Sequence, residues 1–248
     1  MKNRITTLVA AGMLAVAGTG MAAVCAPSAT ADRASVQTND TVYFEVSYSG
    51  YRIRYEGGSH ANDVSVDVGD TDIVIVDNNA VGLSASSQCT VDSLTQVTCP
   101  KDVGSGSADK VFNISILGND GDDTLTSSGY GLVSGSSQPI KVTLAGWGGD
   151  DTLVATGGYS GITGGPGDDD ITSGPGTSGY NEYIYGQDGN DTIHTDGDST
   201  DLDRIYCDDN LDLGYTDVVH KENQDIIMGY PHWPPPALSS GCDTVYSS

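Results

Sequence analysis

Basic side chains are scarce in this 248-residue chain: ten Lys and Arg stand against 34 acids, a formal net charge of −24. Such a surface repels phosphate backbones and excludes a nucleic-acid partner. It also opposes a polyuronate, which a calcium-using β-helical polysaccharide lyase must hold with cationic residues. Glu is nearly absent, at four residues (Glu45, Glu56, Glu182, Glu222) against 30 Asp. Glu favours helices and Asp favours turns, so an all-α protein is excluded. Phe and Trp number two each, which leaves little for a thick aromatic core. No GxSxG, HExxH or CxxC motif occurs, and His60, His194, His220 and His232 are scattered, so no catalytic constellation is assigned.

What is present is Gly, at 33 residues, with Asp, Val, Ile, Thr and Tyr, a mixture of short strands and tight turns. Residues 1–31 read as a secretory signal peptide: Lys2 and Arg4 open a basic region, an apolar run extends from Ile5 to Val24, and Ala29-Thr30-Ala31 supplies a small-x-small cleavage site. Ala22-Ala23-Val24 before Cys25 lacks the pattern for lipidation. Removing the leader takes two positive charges and no negative ones, so −24 becomes −26. No other segment is long and apolar enough for a membrane-spanning helix. Cys89, Cys99, Cys207 and Cys242 remain, an even count that in an exported, extracellular chain argues for disulfides. Local pairing, Cys89 with Cys99 and Cys207 with Cys242, is the simplest of three possible connectivities.

A repeat dominates the middle of the chain. GNDGDDTLT (118–126), GWGGDDTLV (146–154), GGPGDDDIT (164–172) and GQDGNDTIH (186–194) all fit G-x-x-G-[DN]-D-x-[LI]-x. Leu144, Leu153, Ile162 and Ile171 follow one another at intervals of nine, and Ile184 and Ile193 resume that step after a four-residue insertion. This periodicity predicts a flattened solenoid in which each nonapeptide makes one turn and one short strand, two make a coil, and the apolar residue enters a thin core. Successive coils stack about 4.8 Å apart, so aspartates at one turn position pile into a column of like charge. A hard divalent cation resolves this, because Ca²⁺ takes six to eight oxygens from carboxylates and carbonyls.

The four segments resemble the GGxGxDxUx nonapeptides of the repeats-in-toxin, or haemolysin-type, calcium-binding family, whose fold is a parallel β-roll. The resemblance covers about residues 111–205 and implies Ca²⁺ between stacked turns. It assigns position six to Asp123, Asp151, Asp169 and Asp191, and position five to Asp122, Asp150, Asp168 and Asn190. Carbonyl ligands at positions one and three fall on Gly118 and Asp120, Gly146 and Gly148, Gly164 and Pro166, and Gly186 and Asp188. Four turns imply about three interturn sites. Asp151 and Asp169 lie 18 residues apart, and Ser160 stands midway where an Asp is expected, so complete turns belong on one edge and the other edge is mostly metal-free. Unlike the family's toxins and proteases, this chain has a leader and no room for a catalytic domain; it looks like a small exported protein that is little more than the repeat.

The expected organisation is therefore an N-terminal β region over 32–110 capping the roll, the calcium-binding roll over 111–205, and degenerate coils and tail over 206–248. PHWPPP interrupts the last part, and Asp208, Asp209 and Asp212 are candidates for a further site. Trp147 reads as a lid over a neighbouring turn rather than a sugar platform. The expected function is calcium binding without enzymatic activity. The alternative is a calcium-scaffolded cell-surface or matrix adhesion module, favoured if Tyr43, Tyr48, Tyr51 and Tyr55 form an exposed cluster and disfavoured if they are buried.

Overall fold

The structure, a computed structural model, describes residues 40–47, 50–104, 110–129, 131–157, 159–176, 180–195, 202–207, 216–221, 225–228 and 242–247. The leader, Tyr48, the PHWPPP run and Asp208, Asp209 and Asp212 lie outside these residues. The protein is all-β. The N-terminal strands are β1 (Thr41–Ser47), β2 (Gly50–Glu56), β3 (Asp63–Val68), β4 (Asp72–Asp77), β5 (Ser84–Ala85), β6 (Thr90–Val91) and β7 (Gln96–Pro100). The repeat supplies β8 (Val111–Asp120), β9 (Thr124–Ser128), β10 (Lys141–Gly148), β11 (Thr152–Ala155), β12 (Tyr159–Thr163), β13 (Asp170–Ser173), β14 (Tyr183–Tyr185) and β15 (Thr192–Thr195). The C-terminal part adds β16 (Arg204–Tyr206), β17 (Asp217–Lys221), β18 (Ile226–Ile227) and β19 (Cys242–Ser247).

From β8 onward the chain alternates between two sheets. Even-numbered strands run β18-β16-β14-β12-β10-β8 in sheet A, and odd-numbered strands run β19-β17-β15-β13-β11-β9 in sheet B. All these neighbours are parallel and equivalent residues face each other: Ile116, Leu144, Ile162, Ile184 and Ile205 across sheet A, and Leu125, Leu153, Ile171, Ile193 and Val219 across sheet B. Every one of these ten side chains is buried. The nine-residue apolar step thus becomes two facing columns, one per sheet, which form the thin core. The lengths that break the step are absorbed in connections. Residues 129–140 leave β8 and β10 in register, and the loop tucks Val133 and Ile140 into the core.

The N-terminal region does more than cover an end. β2 pairs parallel with β8 and β3 parallel with β9, so Gly57–Asn62 is a further turn in the same stack, with Glu56 opposite Leu117 and Asp63 opposite Thr124. Only beyond it do the sheets turn antiparallel, through β1 against β2 and β4 against β3 and β7. Antiparallel closure ends the parallel stack. Disulfides join Cys89 to Cys99 and Cys207 to Cys242, which places the protein in an oxidising environment. Among the described residues no helix is long and apolar enough to cross a membrane.

Tyr55 is buried, and its hydroxyl donates to Asp77 Oδ2 at 2.7 Å. Tyr51 packs on the core against Phe44, with ring centroids 4.9 Å apart. An exposed N-terminal tyrosine cluster is therefore not formed by these two rings.

Ile171→Ala, in the middle of its column, is expected to lower unfolding free energy by about 2–5 kcal/mol. Thr172→Ala, the half-buried neighbour on the outward face, is expected to stay within about 0.5 kcal/mol. Urea denaturation of the two variants measures the difference.

Candidate metal centre

Each Gly/Asp segment turns the chain from sheet A to sheet B on one edge of the stack. Two of its glycines are required by close approach. A Cβ on Gly146 would lie 2.0 Å from Asp151 Oδ2, and the same contact recurs between Gly118 and Asp123 and between Gly164 and Asp169. At position four the preceding coil's backbone is the obstacle: Gly149, at φ +137°, would put a Cβ 2.1 Å from Gly121 O.

These turns bury the position-six carboxylates in a column. Asp123, Asp151, Asp169 and Asp191 are each at most 2% exposed. One oxygen of each is used between coils. The Asp123 N–H donates to Asp151 Oδ1 at 2.7 Å, Asp151 N–H to Asp169 Oδ1 at 2.9 Å, and Asp169 N–H to Asp191 Oδ1 at 3.0 Å. The other oxygen, Oδ2 of Asp123, Asp151 and Asp169, is buried and has no hydrogen-bond partner. Burial pushes the carboxyl of Asp123 up to about 7, that of Asp151 to about 6 and that of Asp169 to about 8, with neighbouring aspartates adding to the rise. An unpaired buried carboxylate is costly, so these oxygens require a proton or a cation.

The position-five residues form a second, exposed column with the opposite polarity. Asp150 N–H donates to Asp122 Oδ1 at 3.0 Å, Asp168 N–H to Asp150 Oδ1 at 2.9 Å, and Asn190 N–H to Asp168 Oδ1 at 2.8 Å. The backbone and side-chain amides of Asn190 hold Asp168 below the usual carboxylate range. Carbonyls at positions one and three already bridge coils: Gly164 O accepts from Trp147 N–H, Pro166 O from Gly149 N–H, and Asp188 O from Gly167 N–H. Each carbonyl oxygen has a second lone pair.

Every gap between successive complete turns thus offers two carboxylate columns and several backbone carbonyls. Among the described residues no three His, Cys, Asp or Glu side chains form a metal-holding group. Side chains alone therefore make no cage, and a cation here needs backbone oxygens for much of its shell. That donor set fits a hard ion such as Ca²⁺ and suits Zn²⁺ poorly.

The column extends past the four motifs at both ends. Asn62 occupies the preceding turn, its backbone N–H donating to Asp123 Oδ1 at 2.7 Å and its Nδ2 to Gly118 O at 3.2 Å. Asp217 follows Asp191, accepting its N–H at 2.9 Å. Weak signals mark both: Gly57, Asn62 and Val64 fill template positions one, six and eight, and Asp217 precedes two valines.

The opposite edge also carries acids, which the sequence reading did not name. Glu182, Asp203 and Asp225 are buried there, immediately before β14, β16 and β18. Ser160 is part of that arrangement, because its N–H and hydroxyl both donate to Glu182 Oε1, while the Ser173 hydroxyl donates to Oε2. Thr195 Oγ1 donates to Asp225 Oδ2, and Asp203 N–H to Asp225 Oδ1 at 3.2 Å. This acidic edge was missed because its members carry no glycine signature and no fixed sequence step leads to them.

No protein-family model matches the chain, no curated protein matches its sequence, and no solved structure matches its fold.

In chelator, Gly146→Ala is expected to cost about 1–3 kcal/mol because its Cβ overlaps Asp151. Gly148→Ala, whose nearest neighbour would lie 3.9 Å away, is expected to be nearly neutral. The raised carboxyl values also set a pH dependence. A folded-state value above the unfolded one of about 3.9 favours the protonated native state, so its stabilisation is fully present below pH 4 or so. It is lost as pH rises through the values of Asp151, Asp123 and Asp169, about 6, 7 and 8. Chelated protein should therefore melt at a lower temperature at pH 8 than at pH 5, as scanning calorimetry in chelator would read.

Proposed function

We propose that this is an exported calcium-binding protein whose coils form a parallel β-roll, with Ca²⁺ held between successive Gly/Asp turns. The observation that carries the reading is the row of buried, unpartnered Oδ2 atoms on Asp123, Asp151 and Asp169, repeated once per coil. A hydroxyl or amide donor at one position would answer for one such atom. A repeated one, beside an equally regular exposed column of Asp122, Asp150, Asp168 and Asn190, calls for a ligand that repeats too.

Three gaps join the complete turns: 118–123 with 146–151, 146–151 with 164–169, and 164–169 with 186–191. Their ligands would come from the position-five and position-six side chains and from carbonyls at positions one and three. Bound Ca²⁺ would supply the positive charge that the inner column lacks. Outside cells, dissociation constants of about 10⁻⁴–10⁻³ M suffice for occupancy. Each independent site would add about 2.7 kcal/mol of stability at a hundredfold excess over its dissociation constant. No catalytic activity is assigned, since the paired carboxylates are explained by the metal.

An adhesion role at the N-terminal tyrosines gains nothing from the burial of Tyr55.

Calorimetric and circular dichroism titration of the chelated chain tests the reading. Ca²⁺, and not Mg²⁺, is expected to raise the melting temperature with a stoichiometry near three. Asp151→Asn and Asp169→Asn should each weaken binding about tenfold or more, since a charged ligand to two adjacent gaps is lost. A chain whose melting is indifferent to Ca²⁺ would sink the proposal.

A further inference from the structure

The outward face of sheet A carries a cationic and aromatic surface on an otherwise acidic molecule. Arg52, Arg54, Lys141 and Arg204 all point outward from β2, β10 and β16. Arg52 and Arg54 are engaged by Glu45 and Glu56. Over β10, β12, β14 and β16 the situation is different. Among the described residues the outward positions of these strands bear no carboxylate, whereas Lys141 and Arg204 lie beside Tyr159 and Tyr183, each cation 5.4 Å from its ring centroid.

The same face has a trough running across the strands. Leu117, Ala145, Thr163, Tyr185 and Tyr206 are register partners on successive strands. Ala145 and Thr163 are short and form its floor, over a cleft of about 330 Å³ that Trp147, Pro166 and Gln187 wall on the turn side. Trp147 is 58% exposed and borders both this cleft and the neighbouring turn residues Asn119 and Asp120. Its backbone is held at φ +75°, a conformation shared by Asn119 and Gln187 at the same turn position. Along the trough, Tyr185 and Tyr206 stack with centroids 4.6 Å apart.

We propose that this face binds a linear acidic polysaccharide lying across the strands, with sugar rings against Trp147 and the Tyr185–Tyr206 pair and carboxylates towards Arg204 and Lys141. Flat aromatic faces suit sugar rings, and guanidinium pairs with carboxylate in two-pronged fashion. The chain-wide negative charge does not forbid this. Fields from the turn columns are screened over about 8 Å at physiological ionic strength, so they weigh most on Trp147, which sits in a turn, and less on Lys141 and Arg204, which open their strands at the other end. The inference does not depend on the calcium reading, because none of these side chains belongs to the inner or outer aspartate column.

The test is isothermal titration of the purified chain with an oligogalacturonate, a neutral oligoglucan of equal length and a single-stranded oligonucleotide of equal charge. The oligogalacturonate alone is expected to bind. Trp147→Asn, which copies the residue at the equivalent position of the preceding coil, should weaken that binding about tenfold, as should Lys141→Gln with Arg204→Gln. Both variants should keep the parent circular dichroism spectrum. Equal binding of the neutral glucan or the oligonucleotide, no binding at all, or binding unchanged in both variants would overturn the proposal.

Discussion

The stack of coils depends on one repeated contact, the position-six carboxylate that reaches back to the backbone N–H of the coil before it. That contact satisfies a backbone donor inside the turn, where strand pairing has ended. It also draws a carboxylate into a place that water does not reach. The rest of the turn follows. Position one must be glycine because the second carboxylate oxygen occupies the space of a Cβ, and position four because the neighbouring coil's carbonyl does. The apolar residue two places after the aspartate then enters the core at the start of the next strand. Removing the aspartate leaves an unpaired N–H, and keeping it leaves an oxygen in need of charge.

Charge is sorted by surface. Carboxylates collect at the two edges of the stack, while half of the eight cations that follow residue 31 face outward from sheet A. Sequence composition averages over these surfaces, which is why the overall excess of acid says so little about any one of them. A net charge sets long-range steering, yet within a Debye length the local arrangement governs what a face attracts. Sheet B illustrates a third pattern: His194, His220 and Tyr246 stack in a row, with centroids 4.6 and 4.7 Å apart. Such rows arise because register places identical positions above one another.

The core was legible from the sequence because a step of nine survives wherever a strand must enter it. Leu144 through Ile171 mark four successive entries into that core without a gap, and the structure buries all of them. The glycines and aspartates of the Gly/Asp edge were legible for the related reason that each is forced by a close contact. The preceding turn was not, because Gly57–Asn62 keeps glycine and the position-six oxygen but has His60 and Ala61 where the motif has glycine and acid. The Glu182 edge was hidden differently. Its residues are separated from the motif by connections of unequal length, so no fixed step leads to them, and Ser160 looked like a lost aspartate when it is a donor to a glutamate.

The contrast between the two edges argues for where a cation belongs. Both edges bury carboxylates at regular places in the stack. On the Glu182 edge, hydroxyls answer two of the three: Ser160 and Ser173 donate to Glu182, and Thr195 donates to Asp225. Neutral donors of this kind stabilise a buried charge without needing an ion. On the Gly/Asp edge, the second oxygen of Asp123, Asp151 and Asp169 faces a glycine, which brings no side-chain donor, and the Asn62 amide reaches only the first oxygen of Asp123. Glycine there has two consequences at once: it makes room for the second oxygen, and it guarantees that nothing within the turn neutralises it. In an edge built this way a proton can answer the second oxygen, and it leaves Asp151, Asp123 and Asp169 in turn as pH rises through about 6, 7 and 8.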